Sequence, residues 1–112
     1  MSTSTIKATP VADWGGKTAW LTDTGDGSGL GITLFGHVIT ISFATARKVW
    51  HENDIIYTVP EQYRPSTNID FVGYNGDAAN VIRLKPNGEA IVWILNSSAT
   101  SRIYGNVTYS FL

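Results

Sequence analysis

Two residues of this chain have side chains suited to ligand recognition, and neither lies in a catalytic motif. Trp93 stands in the run Glu89–Leu95, and an indole can stack on the C–H face of a sugar ring while its N–H bonds a hydroxyl group. Arg102 stands in the segment 97–105, where its planar fork of five donors suits diol, carboxylate or phosphate groups. Each residue also has a plainer interpretation, Trp93 as a core or interface residue and Arg102 as a solvated loop arginine.

Four further residues are weaker candidates for ligand contact. Trp50 and His51 follow a strong strand pattern, and loops at the ends of a sandwich commonly carry recognition. The plainer interpretation of that pair is one buried anchor and one solvated neighbour. Arg83 lies on the strand before a predicted hairpin, and Asp77 closes an Asn-Gly-Asp sequence that is typical of a turn first and of a ligand site second.

Patterns typical of catalysis are missing from the sequence. The two histidines, His37 and His51, are too far apart to form a close-spaced pair of zinc ligands. There is no Gly-x-Ser-x-Gly motif, and no spacing singles out two carboxylates as a glycosidase pair. The glycine-rich segment 24–31 lacks the strand-to-helix context of a phosphate-binding loop. We therefore expect a binding protein rather than an enzyme, with no metal and no cofactor.

Length and composition narrow the class of protein further. The chain has 112 residues, enough for one domain with its own core, and it has no cysteine, so a disulfide framework is excluded. Its net charge is -1 and its basic residues are scattered, which argues against a nucleic-acid partner. No apolar run approaches the roughly 18–20 residues that cross a bilayer, so we expect no membrane insertion.

The elements that must position the candidate residues read as β-strands throughout. Alternation is clearest over 38–44, with Ile39, Ile41 and Phe43 on one face, and over 104–111, with Val107 and Tyr109 inward. Segment 24–31 is predicted as a loop, and 45–53 is the only place for a helical turn. About eight strands at regular spacing predict an all-β, jelly-roll-like β-sandwich of antiparallel strands. The remaining predicted strands are Lys17–Thr22, Ile32–Phe35, Asp54–Thr58, Ile69–Tyr74, Ala79–Leu84 and Glu89–Leu95.

A proline-bracketed loop, Val59–Pro65, separates two of these strands. Pro60 and Pro65 cannot donate to a strand ladder, so the connection is predicted to be a stiff extended crossing. Tyr63 is expected to anchor this crossing against the fold or a neighbour, and Arg64 to be a solvated charge or an interprotomer contact.

The tryptophan strand is apolar on both faces. If Ala90, Val92 and Ile94 face the core, then Ile91, Trp93 and Leu95 point the other way. Exposed sheet faces are normally polar, so the pattern indicates that this second face is covered by a loop of the same chain or by another protomer.

The order of these features resembles the head domains of receptor-binding proteins from the tail baseplates of siphophages that infect lactococci and related Gram-positive bacteria. The resemblance covers roughly the C-terminal half of the chain. It rests on the proline-bracketed loop, the Phe-Val-Gly strand end, the proline-started hairpin that leads to Trp93, the loop arginine and the final Thr-Tyr pair, which are Pro60, Tyr63, Pro65, Phe71, Val72, Gly73, Pro86, Arg102, Thr108 and Tyr109.

The resemblance implies a homotrimer that binds host cell-wall or pellicle polysaccharide, with clefts near the protomer boundaries. It also implies a place in the virion, at the tail tip or baseplate, with other tail proteins contacted through the N-terminal side. The strand that carries a histidine and an aspartate in those heads reads VIRLKP here, with Arg83 and Lys85 instead. Such a cationic strand would suit a phosphate- or carboxylate-bearing glycan better than a neutral one.

Two other functions fit the sequence. The chain could be a structural trimerisation domain of a tail fibre or baseplate that touches no glycan, or a carbohydrate-binding module of a cell-wall enzyme. Residues 1–16 are predicted to be a polar N-terminal linker and residues 17–112 the β-sandwich head domain.

Overall fold

The computed structural model describes residues 10–13, 18–23, 29–45, 49–76, 78–96 and 102–111, the first two segments through their backbone alone. These residues form nine β-strands and one short 3₁₀ turn, Glu61–Tyr63, which follows the fifth strand. The strands are β1 (Pro10–Asp13), β2 (Thr18–Asp23), β3 (Gly29–Phe35), β4 (Val38–Ala44), β5 (Ile55–Thr58), β6 (Ile69–Asn75), β7 (Ala78–Leu84), β8 (Glu89–Ile94) and β9 (Tyr104–Ser110).

All nine strands belong to one antiparallel sheet, in the order β1-β2-β3-β4-β9-β6-β7-β8-β5. The sheet curls back on itself, because β4 and β5 lie far apart in this order yet the ring centroids of Phe43 and Tyr57 are 5.5 Å apart. Ile41 of β4 and Ile82 of β7 are both fully buried in the same apolar cluster. Two halves of the sheet therefore face each other across one core, and the predicted all-β sandwich is confirmed.

Two glycines meet where the sheet turns from one half to the other. In the described part of the chain, β6 and β9 pair through Gly73 with Gly105 and through one neighbouring pair. A Cβ atom on Gly73 would lie 2.7 Å from Ile82 Cγ1 and 2.9 Å from Ile103 Cγ2, and one on Gly105 would lie 2.8 Å from the carbonyl oxygen of Val72. Only glycine fits this close approach without displacing its neighbours. We call the Gly73–Gly105 join the crease.

Several boundaries differ from the sequence-based predictions. Gly29–Gly31 belongs to β3, pairing with both β2 and β4, although a loop was predicted there. No helical turn forms in the described residues of 45–53. Part of the predicted N-terminal linker forms β1, the edge strand next to β2. The other predicted strands are confirmed with shifts of at most one residue at their ends.

The proline-bracketed loop is held by contacts within the chain. Tyr63 packs edge-on against Phe111 with ring centroids 5.2 Å apart, and its carbonyl oxygen accepts a 2.6 Å hydrogen bond from the Tyr109 hydroxyl. Arg64 Nε donates to the carbonyl oxygen of Val59 at 3.0 Å, which closes the loop on itself. Tyr63 is therefore an anchor against the fold, as predicted, and Arg64 has a partner in its own loop.

Candidate functional site

One face of the sheet points away from the core and carries five of the eight large apolar side chains that are exposed among the described residues. Register places Asp70, Val72 and Tyr74 of β6 beside Arg83, Val81 and Ala79 of β7. We call this surface the outer face. Its large apolar members are each 40–46% exposed, which is unusual for a sheet face that is open to water. These members are Val72, Tyr74, Trp93, Ile94 and Tyr104.

A β-bulge in β8 turns Ile94 to the same outer face as Trp93. Ile82 pairs with Val92 and the preceding Val81 pairs with Ile94, so Trp93 is an extra residue in β8. Because an inserted residue shifts the alternation by one, Ile94 turns outward and is 43% exposed. The prediction that Ile94 faces the core is therefore wrong. The second face of the strand is apolar, as predicted, but within the chain it is covered at Ile91 and open at Trp93.

Asp70, Arg83 and Trp93 form a continuous stack across β6, β7 and β8. Arg83 donates from Nε to Asp70 Oδ1 at 2.8 Å and from Nη2 to Oδ2 at 3.0 Å, a two-pronged charge-assisted pair. The Arg83 Cζ atom lies 3.8 Å from the centroid of the Trp93 ring, within the range of a cation–π contact. One face of the indole is thus held by the guanidinium, and the carboxylate in turn holds the guanidinium.

The positive charges of this strand are neutralised within the chain. The hydrogen bond from Arg83 lowers the pKa of Asp70 and in turn raises the pKa of Arg83. Lys85 Nζ lies 3.1 Å from Glu89 Oε1, and hydrogen bonds from Lys85 and then Asn87 lower the pKa of Glu89. Arg83 and Lys85 therefore do not form the cationic strand that the sequence suggested for a charged glycan.

A second aromatic group on the outer face lies at its β6–β9 end. Tyr74 and Tyr104 are cross-strand partners whose ring centroids are 6.1 Å apart, with 32° between the ring planes. The Tyr104 hydroxyl donates to the carbonyl oxygen of Gly76 at 3.3 Å. Neither tyrosine was among the sequence-predicted site residues. The period-two pattern of 69–74 could have revealed Tyr74, since it places Asp70, Val72 and Tyr74 on one face.

The other predicted site residues are spread around this face. The carbonyl oxygen of Arg102 accepts a 3.2 Å hydrogen bond from Asn75 Nδ2, which places Arg102 beside the β6–β7 turn. Asp77 lies outside the described residues. The structure thus brings Trp93 and Arg83 into direct contact, and the backbone of Arg102 lies near the tyrosine pair.

Trp50 and His51 divide as the plainer interpretation expected. Trp50 is 6% exposed and belongs to the core cluster, so its ring is not presented to a ligand, and its assignment as a ligand residue is corrected. His51 is exposed, with its backbone N–H donating to Asp54 Oδ2 at 2.9 Å. The backbone of this loop lies along β8, since Asn53 N–H donates to the carbonyl oxygen of Val92 at 2.7 Å. His51 therefore stands in a loop that borders the Trp93 strand.

Two kinds of feature are absent from the described residues. No group of three or more histidine, aspartate and glutamate side chains in this part of the chain is arranged to hold a metal ion. The same residues contain no helix long and apolar enough to span a membrane.

The curled antiparallel sheet defines a class of fold, that of the head domains of phage receptor-binding proteins. One solved structure with a similar fold is the head domain of phage bIL170, reported in a study of a common fold for the receptor binding domains of lactococcal phages. The two chains align with a TM-score of 0.53 and 18% sequence identity, over 96% of this chain and 99% of the other. The resemblance read from the sequence is thereby confirmed at the level of the fold.

The other comparisons add no relative. No protein-family model matches the chain, and no curated protein sequence matches it.

Proposed function

We propose that this chain is a receptor-binding head domain of a phage tail, which attaches the virion to a saccharide on the host cell surface. The observation that carries the proposal is the exposed Trp93, held on the outer face by the Arg83 and Asp70 stack. The likeness in fold to the bIL170 head domain supports a receptor-binding role. No enzymatic step is part of the proposal.

The proposed mechanism is recognition by a rigid surface. Arg83 covers one face of the Trp93 indole, which leaves the opposite face and the ring edge for a sugar ring. The Arg83 guanidinium donates hydrogen bonds to both oxygens of the Asp70 carboxylate, which fixes its position against the indole. The indole is therefore oriented before the ligand arrives. Binding then costs little conformational entropy, since the platform is already ordered.

Copies of the domain would add to the strength of attachment. We propose that the chain forms a homotrimer at the tail tip or baseplate, joined to other tail proteins through its N-terminal side. Several weak sites acting together give avidity far above that of one site. The mass of the purified domain by light scattering tests the trimer directly.

The test of the site compares two exposed aromatic residues. Trp93→Ala is expected to abolish binding to cell walls purified from lactococcal and other Gram-positive strains. Phe35→Ala is the matched control, because Phe35 is 64% exposed and lies in the hairpin beside the Ser110 end of β9, opposite the end that carries Tyr104. Wild-type binding by Trp93→Ala would remove Trp93 from the site and with it the observation on which the proposal rests.

A structural role is the second candidate function. Val72 and Ile94 are exposed apolar residues whose side chains cannot form hydrogen bonds with a sugar. They would suit contact with another protein chain. On this alternative the domain trimerises and docks on tail proteins without touching glycan. Wild-type protein that forms a trimer yet binds no cell wall from any strain would favour it.

A further inference from the structure

We infer that Tyr74 and Tyr104 form a second saccharide subsite, so that the ligand is an extended run of uncharged sugar residues lying across β8, β7, β6 and β9. The inference rests on the proposed function and adds the length and the charge class of the ligand.

The first argument is the distance between the aromatic groups. Trp93 stands on β8, and the tyrosine pair stands on β6 and β9, with β7 between them in the sheet order. With strands about 4.8 Å apart and a rise of about 3.3 Å per residue, the two groups are roughly 12–16 Å apart. A single sugar ring cannot contact both groups, whereas an oligosaccharide of several rings can.

The second argument is the surface between them. Val72 and Val81 are cross-strand partners on the outer face, and Val81 pairs with Ile94, so a short row of aliphatic side chains links Trp93 to the tyrosines. Val72 and Ile94 are each 43% exposed, so this row is open at both ends to a ligand lying on the face. The apolar C–H faces of sugar rings are suited to such a surface.

The third argument is the rigidity of the tyrosine pair. The two rings lie against each other with centroids 6.1 Å apart, and the Tyr104 hydroxyl is bonded to the carbonyl oxygen of Gly76. Both tyrosines are more than 40% exposed, although contact of their rings with water does not stabilise the fold. Aromatic groups held in this way present a fixed stacking surface together with hydroxyl groups for hydrogen bonds.

The fourth argument is charge. The charged side chains that β6 and β7 present on the outer face are Asp70 and Arg83, and they neutralise each other through two hydrogen bonds. An anionic ligand would have to compete with Asp70 for the Arg83 fork. An uncharged sugar chain needs no such exchange and fits the face as it stands.

The experiment measures affinity for two fragments of purified host cell-wall polysaccharide, a disaccharide and a hexasaccharide, both without charged substituents. The double variant Tyr74→Ala/Tyr104→Ala is expected to bind the disaccharide as the wild type does and the hexasaccharide about tenfold more weakly. Tyr74→Phe/Tyr104→Phe keeps both rings and is the matched control, expected to retain most of the affinity. Affinity for both fragments is expected to stay level as the salt concentration rises.

Each alternative outcome would contradict a specific part of the inference. If Trp93→Ala abolishes binding but the double variant binds the hexasaccharide as the wild type does, the second subsite is wrong and the proposed function stands. A double variant that loses the oligomer while each protomer keeps its affinity would make this face an interface between copies. Affinity that falls steeply with salt, or binding only to phosphate-bearing fragments, would overturn the uncharged ligand. A wild-type protein that binds neither of these fragments nor phosphate-bearing ones would remove the proposed function and the inference together.

Discussion

Two tyrosines of the core differ in what their hydroxyl groups bind. The Tyr109 hydroxyl donates to the carbonyl oxygen of Tyr63, whereas the Tyr57 hydroxyl is buried with no hydrogen-bond partner among the described residues. Burial raises the pKa of both phenols above the usual value, with the neighbouring Tyr109 adding to the effect at Tyr57. Both hydroxyls are therefore neutral at any ordinary pH, and their contributions to stability depend on hydrogen bonding alone.

Removing these two hydroxyls should have different effects on the free energy of unfolding. Tyr109→Phe leaves the Tyr63 carbonyl without its donor and is expected to destabilise the fold by about 1–2 kcal/mol. Tyr57→Phe removes a hydroxyl that lost its water on folding, so it is expected to leave stability unchanged or to raise it. Urea unfolding measures the free energy of unfolding of each variant. The two values are compared using one common slope of free energy against urea concentration. A large loss in Tyr57→Phe would mean that its hydroxyl has a partner after all.

The Asp70 carboxylate gives the outer face a pH dependence. Since the pKa of Asp70 is lowered by Arg83, its ion pair contributes fully above the unfolded value near pH 3.9 and is lost as the pH falls through the lower folded pKa. We expect the fluorescence of Trp93 to change in that acid range, because its stacking partner becomes free to move. The difference between wild type and Trp93→Phe isolates this signal from the other tryptophans. In Asp70→Asn the acid transition should vanish.

At the scale of the elements, the crease is the most demanding feature. Gly73→Ala places a Cβ atom against Ile82 and Ile103, and overpacking of this kind costs about 1–3 kcal/mol. Gly31→Ala is the matched control, since a Cβ atom there meets nothing within 4 Å and Gly31 also lies in a strand. Thermal or urea unfolding should show a clear loss for the first variant and little change for the second. Equal free energies of unfolding in the two variants would mean that β6 and β9 can move apart at the crease without loss of stability.

The sequence predicts an element well when its residues alternate. β4 and β9 were found with their inward residues because each has one face in the core and one toward solvent. Gly29–Gly31 was missed because glycines signal turns, and only pairing with strands on both sides makes a strand of them. The inward position of Ile94 was predicted wrongly because a bulge depends on the register of the neighbouring strand.

For the candidate site, the sequence revealed some of the residues but not their contacts or their burial. Trp93 and Arg83 were both chosen from their residue types, and the structure places one directly over the other. Their contact could not be read from the sequence, because it depends on the pairing of β7 with β8 and on the bulge between them. Trp50 and Trp93 have the same side chain and differ in burial, which only the fold decides.

At the scale of the whole molecule, one core serves both halves of the sheet. Apolar side chains from β3 and β4 share a cluster with those from β7 and β8. We therefore expect a single cooperative unfolding transition, with strand circular dichroism and tryptophan fluorescence changing together. Two separate transitions would show that the halves on either side of the crease are stable alone. Phe43→Ala removes a ring that contacts Phe71 and Tyr57. It should lower the midpoint of unfolding by the same amount whether circular dichroism or fluorescence is measured.

The alternation along β6 and β7 separates the residues that build the domain from those that meet its surroundings. Ile82 and Leu84 point inward and are fully buried, while Val81 and Arg83, which alternate with them, point outward and take no part in the core cluster. Selection can therefore exchange the outward residues for others without rebuilding the interior. Under the proposed function, a virus could follow a changing host surface through a few substitutions, and a laboratory could retarget the same scaffold by randomising the outward positions alone.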